Sequence, residues 1–292
     1  HNDTFSLATT SATDVDYVVV PGEGNDSISI ASGTSVIVSY EHADKPLHIT
    51  LDSSGTTVFT DPWGDTDTIY GNAAIEGTEH GDVITGNEQN NLFIASEGGD
   101  DYNGAGGTDE INYFHLGDKN ESGVEVVLQA SDKDSGYALH DKGDATDTLI
   151  GIEHVNGTDF GDTLKGDMNS SNGVFHATLA GDGGNDLLVD GYGNDALYGD
   201  DGNDTFYLTE GNDSIYGGNG IDRLNASGLS ASIHVDLTSS SFNYTIGGTE
   251  FSGHIEGIEN IDGTNYNDTI ILNNDTHEVF GNAGNDSLIG GA

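Results

Sequence analysis

Five aspartates recur at nine-residue intervals between residues 181 and 225. A glycine precedes each aspartate by two positions, and an aliphatic residue or Phe follows it by two. Glycine permits the positive φ of a tight turn, so successive backbone carbonyls can point to one side, where the aspartate adds a carboxylate. Oxygen ligands of this kind suit hard cations, and above all Ca²⁺. The predicted metal-binding turns contain Gly184 and Asp186, Gly193 and Asp195, Gly202 and Asp204, Gly211 and Asp213, and Gly220 and Asp222.

Each nonapeptide predicts one turn and one very short strand, because the aliphatic residue after the aspartate suits a half-buried β-strand. Two nonapeptides make one coil, so residues eighteen apart stack on the same edge. Asp186, Asp204 and Asp222 are therefore expected along one edge, and Asp195 and Asp213 along the opposite edge. Calcium ions are expected between the stacked turns, held by carbonyls and by a carboxylate from each turn.

Two further repeats surround this tandem tract. Single nonapeptides occur at 21–29, 104–112 and 281–289. A longer unit starts near residues 36, 111 and 224, and consists of a strand, a polar excursion, a second strand, a variable loop and a final turn. That final turn begins with Gly77-Thr78, Gly157-Thr158 or Gly263-Thr264, and an aspartate follows each of these glycines by five positions.

The motif GGNDLLVDGYGNDALYGDDGNDTFYLTEGNDSIYGGNGIDRL resembles the hemolysin-type calcium-binding (RTX) repeats, whose consensus is G-G-x-G-x-D-x-U-x. The longer unit resembles segments interspersed in large RTX adhesins and secreted RTX enzymes. The resemblance covers most of residues 21–292. It implies an all-β, right-handed parallel β-roll or β-helix solenoid with calcium between its turns, exported by a type I system to the cell surface or the extracellular space.

The resemblance also implies calcium ligands outside the tandem tract, at Asp26, Asp82, Asp109, Asp162, Asp268 and Asp286. In the long units, however, His80, Phe160 or Tyr266 stands where the consensus has glycine. The alternative is that these turns are closed by packing, without metal. We expect one continuous array in three segments, 1–107, 108–225 and 226–292, the last of which ends at the start of a further repeat.

The composition is consistent with folding that depends on a cation. The 292 residues carry a net charge of −45, and only 34% are hydrophobic, a balance that favours disorder unless positive charge is supplied. Six basic residues argue against a nucleic-acid partner, the absence of cysteine excludes disulfides, and the apolar runs are too short to span a membrane. We therefore predict a module that folds on calcium after secretion and has a structural, stabilising or adhesive role.

Two alternative functions are a carbohydrate-binding module and a polysaccharide lyase or epimerase. A carbohydrate-binding module would use exposed aromatic residues such as Trp63 and Phe59, or the tyrosines that punctuate the tandem tract, and would bind an extracellular polysaccharide or surface glycan. A polysaccharide lyase or epimerase would need cationic groups, but the chain has a single arginine, Arg223. Neither H-E-x-x-H nor G-x-S-x-G occurs in the sequence, and we predict no catalytic residues and no enzymatic activity.

Overall fold

A computed structural model describes residues 1–8, 17–116, 122–129, 136–140, 145–168, 176–275 and 278–290. These residues form thirty strands, most of them three to five residues long. The first twelve are β1 (Thr4–Leu7), β2 (Tyr17–Val19), β3 (Ser27–Ile30), β4 (Val36–Ser39), β5 (His48–Thr50), β6 (Thr56–Thr60), β7 (Thr66–Tyr70), β8 (Ala74–Glu76), β9 (Val83–Thr85), β10 (Leu92–Ile94), β11 (Asp101–Asn103) and β12 (Glu110–Asn112). The next nine are β13 (Glu125–Val127), β14 (Gly136–His140), β15 (Ala145–Ile150), β16 (His154–Thr158), β17 (Thr163–Lys165), β18 (Thr178–Asp182), β19 (Leu187–Val189), β20 (Ala196–Tyr198) and β21 (Thr205–Tyr207). The last nine are β22 (Ser214–Tyr216), β23 (Arg223–Asn225), β24 (Ile233–Asp236), β25 (Ser241–Ile246), β26 (Thr249–Glu256), β27 (Asn260–Asp262), β28 (Thr269–Ile271), β29 (Glu278–Phe280) and β30 (Ser287–Ile289).

The chain forms two compact units. The first comprises residues 1–120 and 131–154, and the second comprises 121–130 and 155–292. The expected division into three segments of one array stays a prediction. Gly291 and Ala292, where a further repeat is expected to begin, lie outside the described residues.

The tandem tract in the second unit is built from coils of eighteen residues. Leu188 pairs in parallel register with Phe206, and Phe206 pairs with Leu224. On the other sheet, Leu197 pairs with Ile215. These five side chains, each at the centre of a three-residue strand, are at most 1% exposed. The predicted coil of two nonapeptides is confirmed, and each buried side chain contributes about 1.5–3 kcal/mol to stability.

Both units consist mainly of parallel sheets. In the first unit the strand orders are β1-β3-β7-β6, β2-β4-β8-β10-β12 and β5-β9-β11-β15-β14. In the second unit they are β16-β18-β20-β22-β26-β25-β24-β28-β30 and β13-β17-β19-β21-β23-β27-β29. The all-β parallel solenoid is therefore the fold of this chain, as expected.

Each long unit adds an antiparallel hairpin to the parallel coils. The hairpins are β6 with β7, β14 with β15, and β25 with β26. In each hairpin the second strand returns to the parallel stack, where it pairs with the strand of an earlier coil: β7 with β3, β15 with β11, and β26 with β22. Within the described residues, the variable loops of the long units thus contribute antiparallel strands, and the chain then rejoins the parallel stack.

Candidate metal centre

The tandem aspartates form two ladders, one along each edge of the coils. On one edge the backbone N–H of Asp186 donates to Oδ1 of Asp204 at 2.8 Å, and that of Asp204 donates to Oδ1 of Asp222 at 2.8 Å. On the other edge the N–H of Asp195 donates to Oδ1 of Asp213 at 3.0 Å. The predicted stacking of these aspartates is confirmed, since each carboxylate binds the backbone of the coil before it.

The second carboxylate oxygen of every tandem aspartate has no hydrogen-bond partner. This holds for Oδ2 of all five residues, although each residue is at most 3% exposed. A buried, ionised oxygen without a partner is costly, because burial removes its hydration and nothing replaces it. Buried carboxylates of this kind are paired or coordinate a metal. The donor set therefore fits a hard cation placed against Oδ2.

Three of the five tandem turns require glycine at the first position as well as at the predicted fourth position. A Cβ on Gly181 would lie 2.1 Å from Oδ2 of Asp186, and one on Gly199 would lie 2.3 Å from Oδ2 of Asp204. A Cβ on Gly217 would lie 2.6 Å from Oδ2 of Asp222. These first-position glycines were not among the predicted site residues. Their position five residues before Asp186, Asp204 and Asp222 was the signal that could have identified them.

Four of the five tandem turns, all except that of Asp213, also contain left-handed residues at their second and fourth positions. Asp182 and Asp200, at the second position, have φ of 64° and 63°, while Gly184 at the fourth position has φ of 117°. A positive φ at a non-glycine residue is uncommon, although Asp tolerates it better than most. A turn with two left-handed residues therefore has a different backbone conformation from an ordinary β-turn of type I, in which both central residues have negative φ.

The electrostatics of the ladders disfavour ionised carboxylates in the absence of metal. Burial raises the pKa of Asp186 to about 8, and the carboxylates of Asp162 and Asp204 add to the shift. Burial likewise raises the pKa of Asp195, Asp204 and Asp222 to about 6. A divalent cation beside these oxygens would offset both the desolvation and the mutual repulsion.

The metal site cannot be made from side chains alone. Within the described ranges, no three His, Cys, Asp or Glu side chains converge closely enough to hold an ion. The ladders bring one carboxylate per turn to each edge, so backbone carbonyls must supply the remaining ligands. This combination of few carboxylates and many carbonyls is suited to Ca²⁺, which accepts about 6–8 oxygen ligands.

Comparison with known families agrees with this geometry. The RTX calcium-binding nonapeptide repeat matches residues 76–111, 180–215, 207–228 and 278–292. The chain carries RTX calcium-binding repeats. Calcium is the metal that such repeats bind between their turns, and the tandem tract with its partnerless oxygens lies within two of the matched segments.

Other comparisons add little. No curated protein matches the chain. Among solved structures, the chain is similar to the extracellular lipase LipA from Serratia marcescens, with 19% identity and a TM-score of 0.17. That match covers 78% of this chain and 42% of the lipase chain, and it carries no argument about function.

Isolated RTX copies place three more aspartates in similar positions. Oδ2 of Asp26 is buried without a partner, and Oδ1 accepts the N–H of Asp3 at 2.6 Å. Asp109 is 1% exposed, and its Oδ1 accepts the N–H of Asn91 at 2.7 Å. Oδ1 of Asp286 accepts the N–H of Asp268 at 3.0 Å. All three therefore extend ladders of the tandem type.

Two glutamates end these ladders and were missed from the sequence. Oε2 of Glu259 accepts the N–H of Asp222 at 2.8 Å, and Oε2 of Glu153 accepts that of Asp109 at 2.8 Å. Both residues follow Ile in the matching stretches GIEHVNGT and GIENIDGT. That shared Ile-Glu was the available signal.

The Gly-Thr turns of the long units have a different environment from the tandem turns. Oδ2 of Asp82, Asp162 and Asp268 each accepts a backbone N–H from Thr78, Thr158 or Thr264, respectively, at 2.5–2.7 Å. Their Oδ1 atoms accept the hydroxyl of the same threonine at 2.8–3.0 Å. The structure therefore places these three predicted ligands in turns whose carboxylates already have protein partners.

Four of the aromatic residues considered for glycan binding pack against other aromatic rings, whereas Tyr207 is exposed. Trp63 is partly buried against Tyr40, with ring centroids 6.3 Å apart, and Phe59 is 9% exposed. Tyr198 and Tyr216 stack in parallel at 4.9 Å along the sheet, so part of each ring face is covered by the other. These contacts favour a packing role for the four side chains.

In the described part of the chain, no helix is long and apolar enough to cross a membrane.

Proposed function

We propose that this RTX chain is a calcium-triggered folding module of a secreted protein, which gives a rigid structural or adhesive segment outside the cell. The observation that supports the proposal is the set of buried aspartate oxygens without partners along both edges of the coils. Such oxygens oppose folding in the absence of metal and favour it when a cation is bound.

The calcium ligands that we propose are the tandem aspartates, together with backbone carbonyls of the turns around Gly184, Gly193, Gly202, Gly211 and Gly220. Asp26, Asp109 and Asp286 are proposed as ligands by their equivalent place in the ladders. Calcium supplies two positive charges per ion at these positions, and the chain residues supply the oxygen cage and exclude water from it.

The linkage between binding and folding makes this module responsive to calcium concentration. Extracellular calcium modules bind with Kd of about 10⁻⁴–10⁻³ M. At tenfold excess over Kd, each independent site adds about 1.4 kcal/mol to the free energy of unfolding. Several such sites together are comparable with the total stability of about 5–15 kcal/mol of a domain. The chain is therefore expected to fold where calcium is abundant and to stay unfolded in its tandem tract where calcium is scarce.

Thermal unfolding of the whole chain tests this proposal. We expect the midpoint of the main transition to rise strongly between excess chelator and millimolar calcium, and to rise little with magnesium. The combined substitution Asp186→Asn, Asp204→Asn and Asp222→Asn should remove most of the calcium effect on the tandem tract. Equal midpoints in chelator and calcium for the unmodified chain would contradict the proposal.

A further inference from the structure

We infer that the three Gly-Thr turns are hydrogen-bonded clasps that take the place of a calcium ion, so that the dependence of folding on calcium is confined to turns with a free aspartate oxygen. We use the term Thr–Asp clasp for the pairs Thr78 and Asp82, Thr158 and Asp162, and Thr264 and Asp268. The inference uses the proposed calcium sites for comparison, but it concerns different residues and is tested separately.

The first clasp shows the arrangement. The backbone N–H of Thr78 donates to Oδ2 of Asp82 at 2.5 Å, and the Thr78 hydroxyl donates to Oδ1 at 2.9 Å. The N–H of Leu47 also donates to Oδ1, at 2.6 Å. Both carboxylate oxygens are thus satisfied, one of them twice, and Asp82 is 1% exposed. Three protein donors thus contact the carboxylate of Asp82, and its Oδ2 has the hydrogen-bond donor that Oδ2 of the tandem aspartates lacks.

The other two clasps repeat this geometry. At Asp162 the donors are Thr158 N–H at 2.7 Å, the Thr158 hydroxyl at 3.0 Å and Val124 N–H at 2.6 Å. At Asp268 they are Thr264 N–H at 2.7 Å, the Thr264 hydroxyl at 2.8 Å and Ile233 N–H at 2.9 Å. The three clasps therefore share one arrangement: the threonine N–H, the threonine hydroxyl and a backbone N–H from an earlier coil all donate to the aspartate.

Each threonine hydroxyl takes part in a second hydrogen bond within its turn. Besides donating to the aspartate, Oγ1 of Thr78 accepts the N–H of His80 at 3.1 Å. Oγ1 of Thr158 and Thr264 accepts the N–H of Phe160 and Tyr266, each at 3.0 Å. All three threonines are fully buried. An ion at Oδ2 would have to share that oxygen with a backbone N–H donor, which Oδ2 of the tandem aspartates lacks.

The backbone course of the clasp turns also differs from that of the tandem turns. The threonines occupy the second position, where Asp182 and Asp200 have positive φ, yet none of the three threonines has positive φ. A β-branched residue is strongly disfavoured there. His80, Phe160 and Tyr266, at the fourth position, likewise lack the positive φ found at Gly184. The two left-handed residues found in four of the five tandem turns are therefore both missing from the clasps. They are also missing from the turn of Asp213, where Thr209 and Gly211 hold these positions.

The same division extends to the first segment that matches the RTX repeat, residues 76–111. Oδ2 of Asp100 accepts the hydroxyls of Ser96 and Tyr102, each at 3.0 Å. At the preceding turn the ligand position holds Asn91, whose Oδ1 accepts the N–H of Asn87 at 2.7 Å. Together with the clasp at Asp82, three turns of this segment are closed by protein donors, although its sequence matches a calcium-binding repeat.

A terbium-soaked crystal of the unmodified chain tests the inference directly, because Tb³⁺ replaces Ca²⁺ at oxygen sites and scatters anomalously. We expect anomalous peaks beside Oδ2 of the tandem aspartates, and none within coordination distance of Asp82, Asp162 or Asp268. A peak at any clasp overturns the inference. Absence of peaks throughout the tandem tract would instead overturn the proposed function and leave the clasps metal-free.

Calcium stoichiometry of variants gives a second test in solution. By equilibrium dialysis of the full chain, Thr78→Val, Thr158→Val and Thr264→Val combined should leave the number of bound calcium ions unchanged while lowering the unfolding temperature in chelator. Thr245→Val, at an exposed strand position, is the matched control and should change neither quantity. Loss of one or more ions per clasp removed would overturn the inference.

Discussion

At the scale of single residues, the repeat aspartates fall into two groups that differ in whether Oδ2 has a hydrogen-bond partner. In the tandem turns Oδ1 of each aspartate joins a ladder, while Oδ2 is buried without a partner. In the clasps Oδ2 binds a threonine N–H. A repeat motif that identifies the aspartate cannot distinguish these cases, because the difference lies in where the residue four positions earlier donates its N–H. Thr78 donates to Asp82, whereas Thr209, four positions before Asp213, donates to Asp190.

The first-position glycines give a residue-scale prediction. Gly199→Ala would place a Cβ 2.3 Å from Oδ2 of Asp204 and 2.4 Å from the carbonyl oxygen of Gly217. We expect it to lower the free energy of unfolding in calcium by about 1–3 kcal/mol, as overpacking does, and to raise the calcium concentration needed at midpoint.

The control for this substitution is Gly228→Ala, where a Cβ meets nothing within 4 Å. It should stay within about 0.5 kcal/mol of the unmodified chain. Chemical denaturation at fixed calcium measures both variants. Equal stability of the two would show that the first-position glycine does not border the metal site.

Much of the site could be predicted from residues alone, and the remainder depends on contacts between distant segments. The nine-residue spacing identified the five tandem aspartates and their stacking. Glu259 was missed because it lies 37 residues after Asp222, a distance that is not a multiple of the nine-residue period. The closed state of Asp82 depends on Leu47, 35 residues earlier, which no local pattern reveals.

At the scale of elements, the coil of eighteen residues sets which edge and which sheet every residue joins. The period was readable from the sequence because one strand and one turn repeat in fixed phase. The hairpins were not, since β6, β14 and β25 lie in stretches that share no sequence pattern among the three long units. Tyr244 in β25 illustrates the consequence: its hydroxyl accepts the N–H of Gly211 at 2.8 Å, in a turn 33 residues earlier.

The coil period predicts opposite outcomes for two deletions. Removal of residues 187–204, one whole coil, keeps every downstream strand on its own sheet and should leave a chain that still gains β structure with calcium. Removal of residues 187–195 shifts each downstream strand to the opposite sheet and places β25 and β26 against the wrong edge.

The shorter deletion is therefore expected to abolish the calcium-induced transition of the tandem tract, although it removes fewer residues. Circular dichroism with and without calcium compares the two. A shorter deletion that folds as well as the longer one would show that the two sheets are interchangeable, and that the edge ladders do not depend on the eighteen-residue register.

At the scale of the whole molecule, charge governs stability. The chain carries −45, and its most buried carboxylates form continuous ladders. Without calcium, protons are the available counter-charge. Burial raises the pKa of Asp186 to about 8 and those of Asp195, Asp204 and Asp222 to about 6, above the ordinary value of 3.8.

These raised pKa values predict that the stability of the calcium-free chain and its affinity for calcium change in opposite directions with pH. Between about pH 4 and pH 8 the folded state holds more protons than the unfolded state, so in chelator the free energy of unfolding should fall as pH rises. Calcium competes with those protons, so its affinity should increase over the same range, and binding at pH 6 should release protons.

Calorimetry in two buffers of different ionisation enthalpy counts the protons released. Denaturation in chelator at pH 5 and pH 8 measures the stability. Stability in chelator that rises towards pH 8, or calcium binding at pH 6 without proton release, would contradict the assignment of the buried carboxylates as the metal ligands.

The most direct test of the central claim is a calcium titration of the chelator-treated chain, followed by far-ultraviolet circular dichroism, with magnesium as the control. The account predicts a cooperative gain of β signal in the micromolar to millimolar range of calcium, and no comparable gain with magnesium. A spectrum that is the same in chelator and in saturating calcium would contradict the account, because the tandem coils would then fold with their buried aspartate oxygens unpaired.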